Sequence, residues 1–156
     1  MQISASSKLL SKAKGFTLIE LLVVIGILAV LLAIVLIAIN PARQFAQANN
    51  TQRSSDVNSI LNAVHQYMAD HNGTPPGSIT ATATEISDGT DLIDLCDDLV
   101  PQYIAALPVD PSSGADPVDD CSEAYSTGYE ISQSATDARI TVSAPEATDT
   151  VITVTR

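Results

Sequence analysis

Beyond residue 14 the chain contains no lysine. Lys8, Lys12 and Lys14 all precede Gly15, and the rest of the sequence sets 18 acidic residues against only Arg43, Arg53, Arg139 and Arg156, a formal side-chain balance of −14. Binding to nucleic acid through its phosphates needs clustered Lys and Arg, so no direct nucleic-acid partner is expected. An exterior this acidic suits a soluble, exported surface instead. Histidine is equally scarce. His65 and His71 are the only two, and neither has a second ligand or a nucleophile at a suggestive spacing. Cysteine occurs only at Cys96 and Cys121, with no second cysteine pair and no His-x-x-x-His to complete a zinc site. There is no Gly-x-Ser-x-Gly turn, no phosphate loop and no paired His and Cys. These absences leave no catalytic set, and the chain is not expected to be an enzyme.

What the sequence does have is a basic leader followed by a long apolar run. Residues 16–39 are interrupted by one charged residue, Glu20. As a helix these 24 residues extend about 36 Å at ~1.5 Å per residue, more than the ~30 Å hydrocarbon core of a bilayer. The lysines ahead of the run keep that end cytoplasmic, so everything after Asn40 is expected outside. An ordinary secretory signal has a shorter apolar region with a small-residue cleavage site behind it. Here the run continues into Asn40-Pro41-Ala42-Arg43-Gln44, which has helical composition. Any cut therefore belongs before the apolar run, and the mature protein keeps it. A carboxylate at membrane depth is costly, so Glu20 either snorkels to water or serves a partner charge. Gly26 weakens the helix, and Pro41 should kink it or melt a turn near residues 37–41.

The stretch Lys14-Gly15-Phe16-Thr17-Leu18-Ile19-Glu20 resembles the processing site of type IV pilins and type II secretion pseudopilins. The resemblance implies an α+β pilin fold, in which a long N-terminal helix is packed on a small antiparallel sheet. Its expected parts are a cleaved leader (1–15), a transmembrane and filament-core helix (16–40), an amphipathic helical half (41–73) and a globular head (74–156). It also implies cleavage between Gly15 and Phe16 by a prepilin peptidase, N-methylation of Phe16, and pairing of Glu20 with the Phe16 amine of a neighbouring subunit. Such a pair offsets the cost of two buried charges only in the right register. The function implied is that of a structural subunit that begins as a single-pass membrane precursor. It polymerises with copies of itself through its N-terminal helix and ends in an extracellular type IV pilus built by an assembly machinery. The alternatives are a pseudopilin of a secretion or DNA-uptake system and a membrane-anchored extracellular binding module.

Beyond the membrane segment, Val57, Ile60, Leu61, Val64, Tyr67 and Met68 recur at helical spacing, which predicts a stripe facing a core. Gly73 and the prolines 75 and 76 stop that helix. A short helix is expected from about residue 91 to 99 and at most a weak strand at 79–84. Alternating strands are expected near residues 128–134, 138–144 and 150–155. Leu107-Pro108-Val109-Asp110-Pro111 resembles a loop common in pseudopilins and some pilins. Two cysteines in an exported segment read as one disulfide, Cys96–Cys121. Asp110, Asp116, Asp119 and Asp120, with Glu123, could offer oxygens to calcium, the ion that major pseudopilins hold after this loop. This chain has Ser112-Ser113-Gly114 in place of the usual continuation, and a solvated acidic loop is the alternative. No other cofactor is expected.

Overall fold

The structure, a computed structural model, describes residues 15–156; Lys8, Lys12 and Lys14 lie outside the described residues. The chain divides into two compact units, one ending at Pro41 and one spanning Ala42–Arg156. Helix α1 (Leu18–Ile39) is followed by α2 (Pro41–Asp70), β1 (Thr84–Ser87), α3 (Cys96–Leu99), β2 (Ser126–Gln133), β3 (Ile140–Ala144) and β4 (Ile152–Thr155). The fold is α+β, as the sequence led us to expect.

The helical run breaks at Asn40, whose backbone is left-handed at φ 44°. Asparagine is one of the few side chains that tolerates this region. Pro41 then takes the first helical position of α2, where a missing N–H breaks no intrahelical bond. The break expected over residues 37–41 is thus a single left-handed residue rather than a melted turn. At its other end α2 is closed by Gly73, with φ 85° and its N–H donating to the Met68 carbonyl at 2.7 Å.

The four strands form one antiparallel sheet in the order β1-β2-β3-β4. Val142 lies opposite both Ile131 and Val154. Period-two alternation then sends Tyr129, Ile131, Ile140, Val142 and Ala144 into the core, while Thr141, Ser143, Thr153 and Thr155 fall on the other face. The α2 stripe supplies Val57, Ile60, Leu61 and Val64, all fully buried, and Leu95, Leu99 and Leu107 complete the cluster. Tyr67 and Met68 pack at its margin, only partly buried.

Two local expectations are corrected. The segment after Thr90 does not start a helix. Asp91 is left-handed at φ 64°, Ile93 forms a short parallel bridge with Ile86, and only Cys96–Leu99 is helical. Ile93 is 5% exposed, so burying it against β1 wins over the weak helical spacing of Leu92, Leu95 and Leu99. The first strand also begins at Thr84, where the earlier-placed weak strand was expected to end.

Cys96 and Cys121 are joined, with Cα atoms 5.5 Å apart across 25 residues of sequence. Closing a loop of that length restricts the unfolded chain, and on chain-entropy grounds contributes about 3–4 kcal/mol. Urea unfolding of the detergent-solubilised protein should show a loss of that size on reduction, and the same loss for Cys96→Ala with Cys121→Ala.

Candidate processing and assembly site

Among the described residues nothing crowds Gly15 or Phe16. A Cβ built on Gly15 would meet nothing within 4 Å, and Phe16 is 83% exposed. No described residue therefore requires glycine at position 15. Any requirement for it must come from whatever reads the junction.

Two residues on, Thr17 caps α1. Its hydroxyl accepts the Glu20 N–H at 3.3 Å, while a single Glu20 carboxylate oxygen accepts the Thr17 N–H at 2.8 Å and the Thr17 hydroxyl at 2.7 Å. This reciprocal arrangement is a capping box, which satisfies N–H groups that the helix start leaves unpaired. A carboxylate in the first turn also suits the positive end of the helix dipole. The pattern Thr-x-x-Glu was in the sequence as a capping signature, yet the reading of Glu20 as an intermolecular group passed over it. Glu20 thus has a local task in the single chain, and it lines the same exposed hollow as Phe16.

Among the described residues of its unit, the rest of α1 has no partner. None of its residues is buried, and Leu, Ile and Val side chains are exposed on every side of the helix. Over 22 residues it extends about 33 Å, enough to cross a bilayer core of ~30 Å. An apolar helix with no polar face needs lipid or other apolar helices all around it. The side chains of this helix can serve both environments.

In the second unit the calcium expectation meets a different arrangement. Asp110 is 2% exposed and turned inward to Arg53 of α2, whose Nε donates to Oδ2 at 2.7 Å and Nη2 to Oδ1 at 2.8 Å. The Ser112 N–H also donates to Oδ1 at 2.8 Å, and the Asp110 N–H donates to the Thr127 carbonyl at 2.8 Å. Gly128, at φ 72°, lies so close that a Cβ there would stand 3.1 Å from that of Asp110. Asp116, Asp119 and Asp120 are exposed, and among the described residues no group of three His, Cys, Asp or Glu side chains is placed to hold a metal ion. Asp110 is therefore withdrawn from the set, while Asp116, Asp119 and Asp120 line one hollow with Glu123. The physical reason is that Asp110 is the counterion of a buried arginine.

Beside this pair, buried Asp56 accepts the Tyr129 hydroxyl at 2.8 Å and the Gln52 side-chain N–H at 3.2 Å. Burial opposes ionisation of Asp110, but hydrogen bonds from Arg53 and then Ser112 outweigh it and hold its carboxyl below the usual range. For Asp56 burial wins over the Tyr129 and Gln52 hydrogen bonds and raises its pKa. Burial, followed by the hydrogen bond to Asp56, pushes the Tyr129 hydroxyl upward. These side chains fasten α2 to the loop that carries Asp110. Sequence reading missed Arg53 and Asp56 because both sit among Gln, Asn and Ser with no local sign of burial.

A family model described as the prokaryotic N-terminal methylation motif matches residues 10–36. The type IV wide pilus major component PilA4 of Thermus thermophilus is 42% identical over 60 residues, which cover 38% of this chain and 44% of that protein. The chain thus spans less than half the length of this curated relative. No solved structure matches.

Proposed function

We propose that this chain, whose N-terminal segment matches the prokaryotic N-terminal methylation motif, is a structural subunit of a type IV pilus. The observation that carries the proposal is the junction at Gly15 and Phe16 set directly before an unpartnered apolar helix with one carboxylate at its start. A tether that merely anchored a binding module would need neither the junction nor Glu20.

In this reading the basic leader holds the N-terminus on the cytoplasmic side, and a prepilin peptidase cuts between Gly15 and Phe16. The Phe16 amine is methylated, and an assembly machine moves the subunit from the bilayer into a filament. The apolar helix can leave lipid because other copies replace the lipid around it. On entry Glu20 meets the Phe16 amine of a neighbour, and the two charges fix the axial register. The acidic second unit forms the outer surface.

Substituting Gly15 tests the first step cleanly, because the fold leaves space around it. Gly15→Ala, or a larger residue, should leave the protein folded and membrane-inserted but uncleaved, seen as retention of the slower precursor band on a gel. Normal conversion of Gly15→Val to the faster band would rule out this junction as the processing site.

A further inference from the structure

Two stretches of the chain, Asn49-Asn50-Thr51 and Asn72-Gly73-Thr74, set an asparagine two residues ahead of a threonine with no proline between them. This is the acceptor pattern for a sugar on the asparagine amide, and it requires a surface position on an exported segment. Both stretches follow Asn40 and so fall in the part that the leader lysines place outside the membrane. The pattern alone does not select an acceptor; the backbone does.

The first motif is locked inside α2. Asn49 is half-buried, and the Thr51 hydroxyl donates to the Gln47 carbonyl at 3.0 Å. Asn50 between them is fastened to the Thr148 carbonyl at 2.6 Å. On a helix, residues two apart do not face each other, so the Asn49 amide and the Thr51 hydroxyl cannot enter one enzyme site together.

The second motif lies just past the end of α2, in a turn. The Thr74 N–H donates to the His71 carbonyl at 3.1 Å, and both central residues have positive φ, 55° at Asn72 and 85° at Gly73. These are the signs of a type I′ turn, for which Asn-Gly is a favoured pair. His71, Asn72, Gly73 and Thr74 are all exposed, and a Cβ built on Gly73 would meet nothing within 4 Å. Among the described residues the Asn72 side-chain amide and the Thr74 hydroxyl have no hydrogen-bond partner. Two neighbours suit an enzyme and its sugar. Asp70, exposed two residues ahead, presents a carboxylate that can pair with a cationic group of the enzyme, whereas Gln47 holds that place before Asn49. The His71 ring stacks on Tyr67 with centroids 3.9 Å apart, and Tyr103 meets Tyr67 edge-on at 5.5 Å. Such rings present an apolar body with a wet edge, on which the C–H face of a sugar can rest.

We propose that Asn72 is an N-glycosylation site, modified outside the membrane by a transferase whose donor is a sugar carried on a polyprenyl diphosphate. The Asn72 side-chain nitrogen attacks the anomeric carbon of that sugar. A C–N bond forms as the bond from that carbon to the diphosphate oxygen breaks. The lipid diphosphate leaves with the bonding electrons, and the amide nitrogen gives up one proton. An amide nitrogen is a weak nucleophile because its lone pair is delocalised into the carbonyl, so the enzyme must turn it. An exposed, unpartnered side chain in a turn permits that, and one inside α2 does not. The inference goes beyond the pilus reading, because it needs the second unit outside the membrane but not its polymerisation.

The test is the mass of the full-length protein taken from the membranes of the cells that make it, with fragmentation of the peptide containing residue 72. The wild-type protein should be heavier than its processed polypeptide by one or more sugar residues, and the fragments should carry them on Asn72. Asn72→Asp and Thr74→Ala should each abolish the excess mass. Thr74→Ser, which keeps the hydroxyl, and Asn49→Gln should retain it. A wild-type mass equal to that of the unmodified chain would overturn the proposal. An excess that survives Asn72→Asp would overturn it too, since the sugar would then sit elsewhere. Asn72→Asp keeps the size of asparagine and its tolerance of a left-handed backbone. Should it still fail to accumulate, the wild-type fragments decide by themselves. Failure of the pilus reading shows separately, as a chain absent from sheared filaments.

Discussion

Glu20→Gln should be cleaved and methylated normally yet yield almost no filaments. Glutamine can still accept the Thr17 N–H and hydroxyl, so the capping box and the start of α1 survive. What is lost is the negative charge. In the proposed filament core that leaves the Phe16 ammonium of a neighbour buried without a counterion, and removing one partner of a buried ion pair costs about 3–5 kcal/mol. Repeated at every subunit, such a penalty abolishes assembly. Glu20→Ala should assemble equally poorly, but it also removes half of the capping box and frays the helix start. Comparing the two variants separates the roles. Filament yield in sheared fractions and the mass of the N-terminal peptide in membranes are the readouts. Wild-type yield from Glu20→Gln alongside a failing Glu20→Ala would mean that Glu20 acts as a cap and not as a charge.

The second large effect is expected at Asp110. Asp110→Asn should destabilise the protein by about 3–5 kcal/mol, because a guanidinium that is 3% exposed then has no counterion. The asparagine amide would also turn an N–H2 towards one of the two guanidinium N–H groups that now donate to the carboxylate. Replacing both partners, Arg53→Met with Asp110→Leu, should restore much of the loss, since an apolar pair of similar volume carries no buried charge. The test is urea unfolding of the single and double variants. A double variant less stable than Asp110→Asn would show that the geometry of the pair matters more than its charge.

The pH dependence has a definite sign. The carboxyl of Asp110 is held below its unfolded pKa, so its contribution is fully present above the ordinary carboxylate range and fades as pH falls through the lowered value. Asp56 works the other way. Its pKa is raised, so its ionisation weakens the fold as pH rises, and protonation relieves that cost. Asp56→Asn, which can still accept the Tyr129 hydroxyl, should therefore be far milder at neutral pH than Asp110→Asn, and should flatten the loss of stability on the alkaline side of the carboxylate range.

What could be read from the sequence was mostly what is local. The stripe of Val57, Ile60, Leu61 and Val64 repeats at helical spacing within a few residues, and all four are buried. The alternation of Ile140, Val142 and Ala144 against Thr141 and Ser143 fixes one face of β3 in the same way. The failures lie where distant residues decide. Leu92, Leu95 and Leu99 share a helical face on paper, but Ile93 is claimed by Ile86 of β1, and most of the helix is lost. Asp110 looked like one donor in a row of loop acids, whereas its partner Arg53 lies 57 residues earlier in the chain. The Thr17–Glu20 box was legible and was overlooked, because the carboxylate already had a more conspicuous explanation.

The most direct test is to shear surface filaments from cells and take the mass of the N-terminal peptide. The pilin reading requires a peptide in that fraction beginning at N-methylated Phe16. The same processed peptide confined to the cell envelope would point to a pseudopilin, and a peptide still carrying Lys14 and Gly15 would contradict the proposed processing altogether.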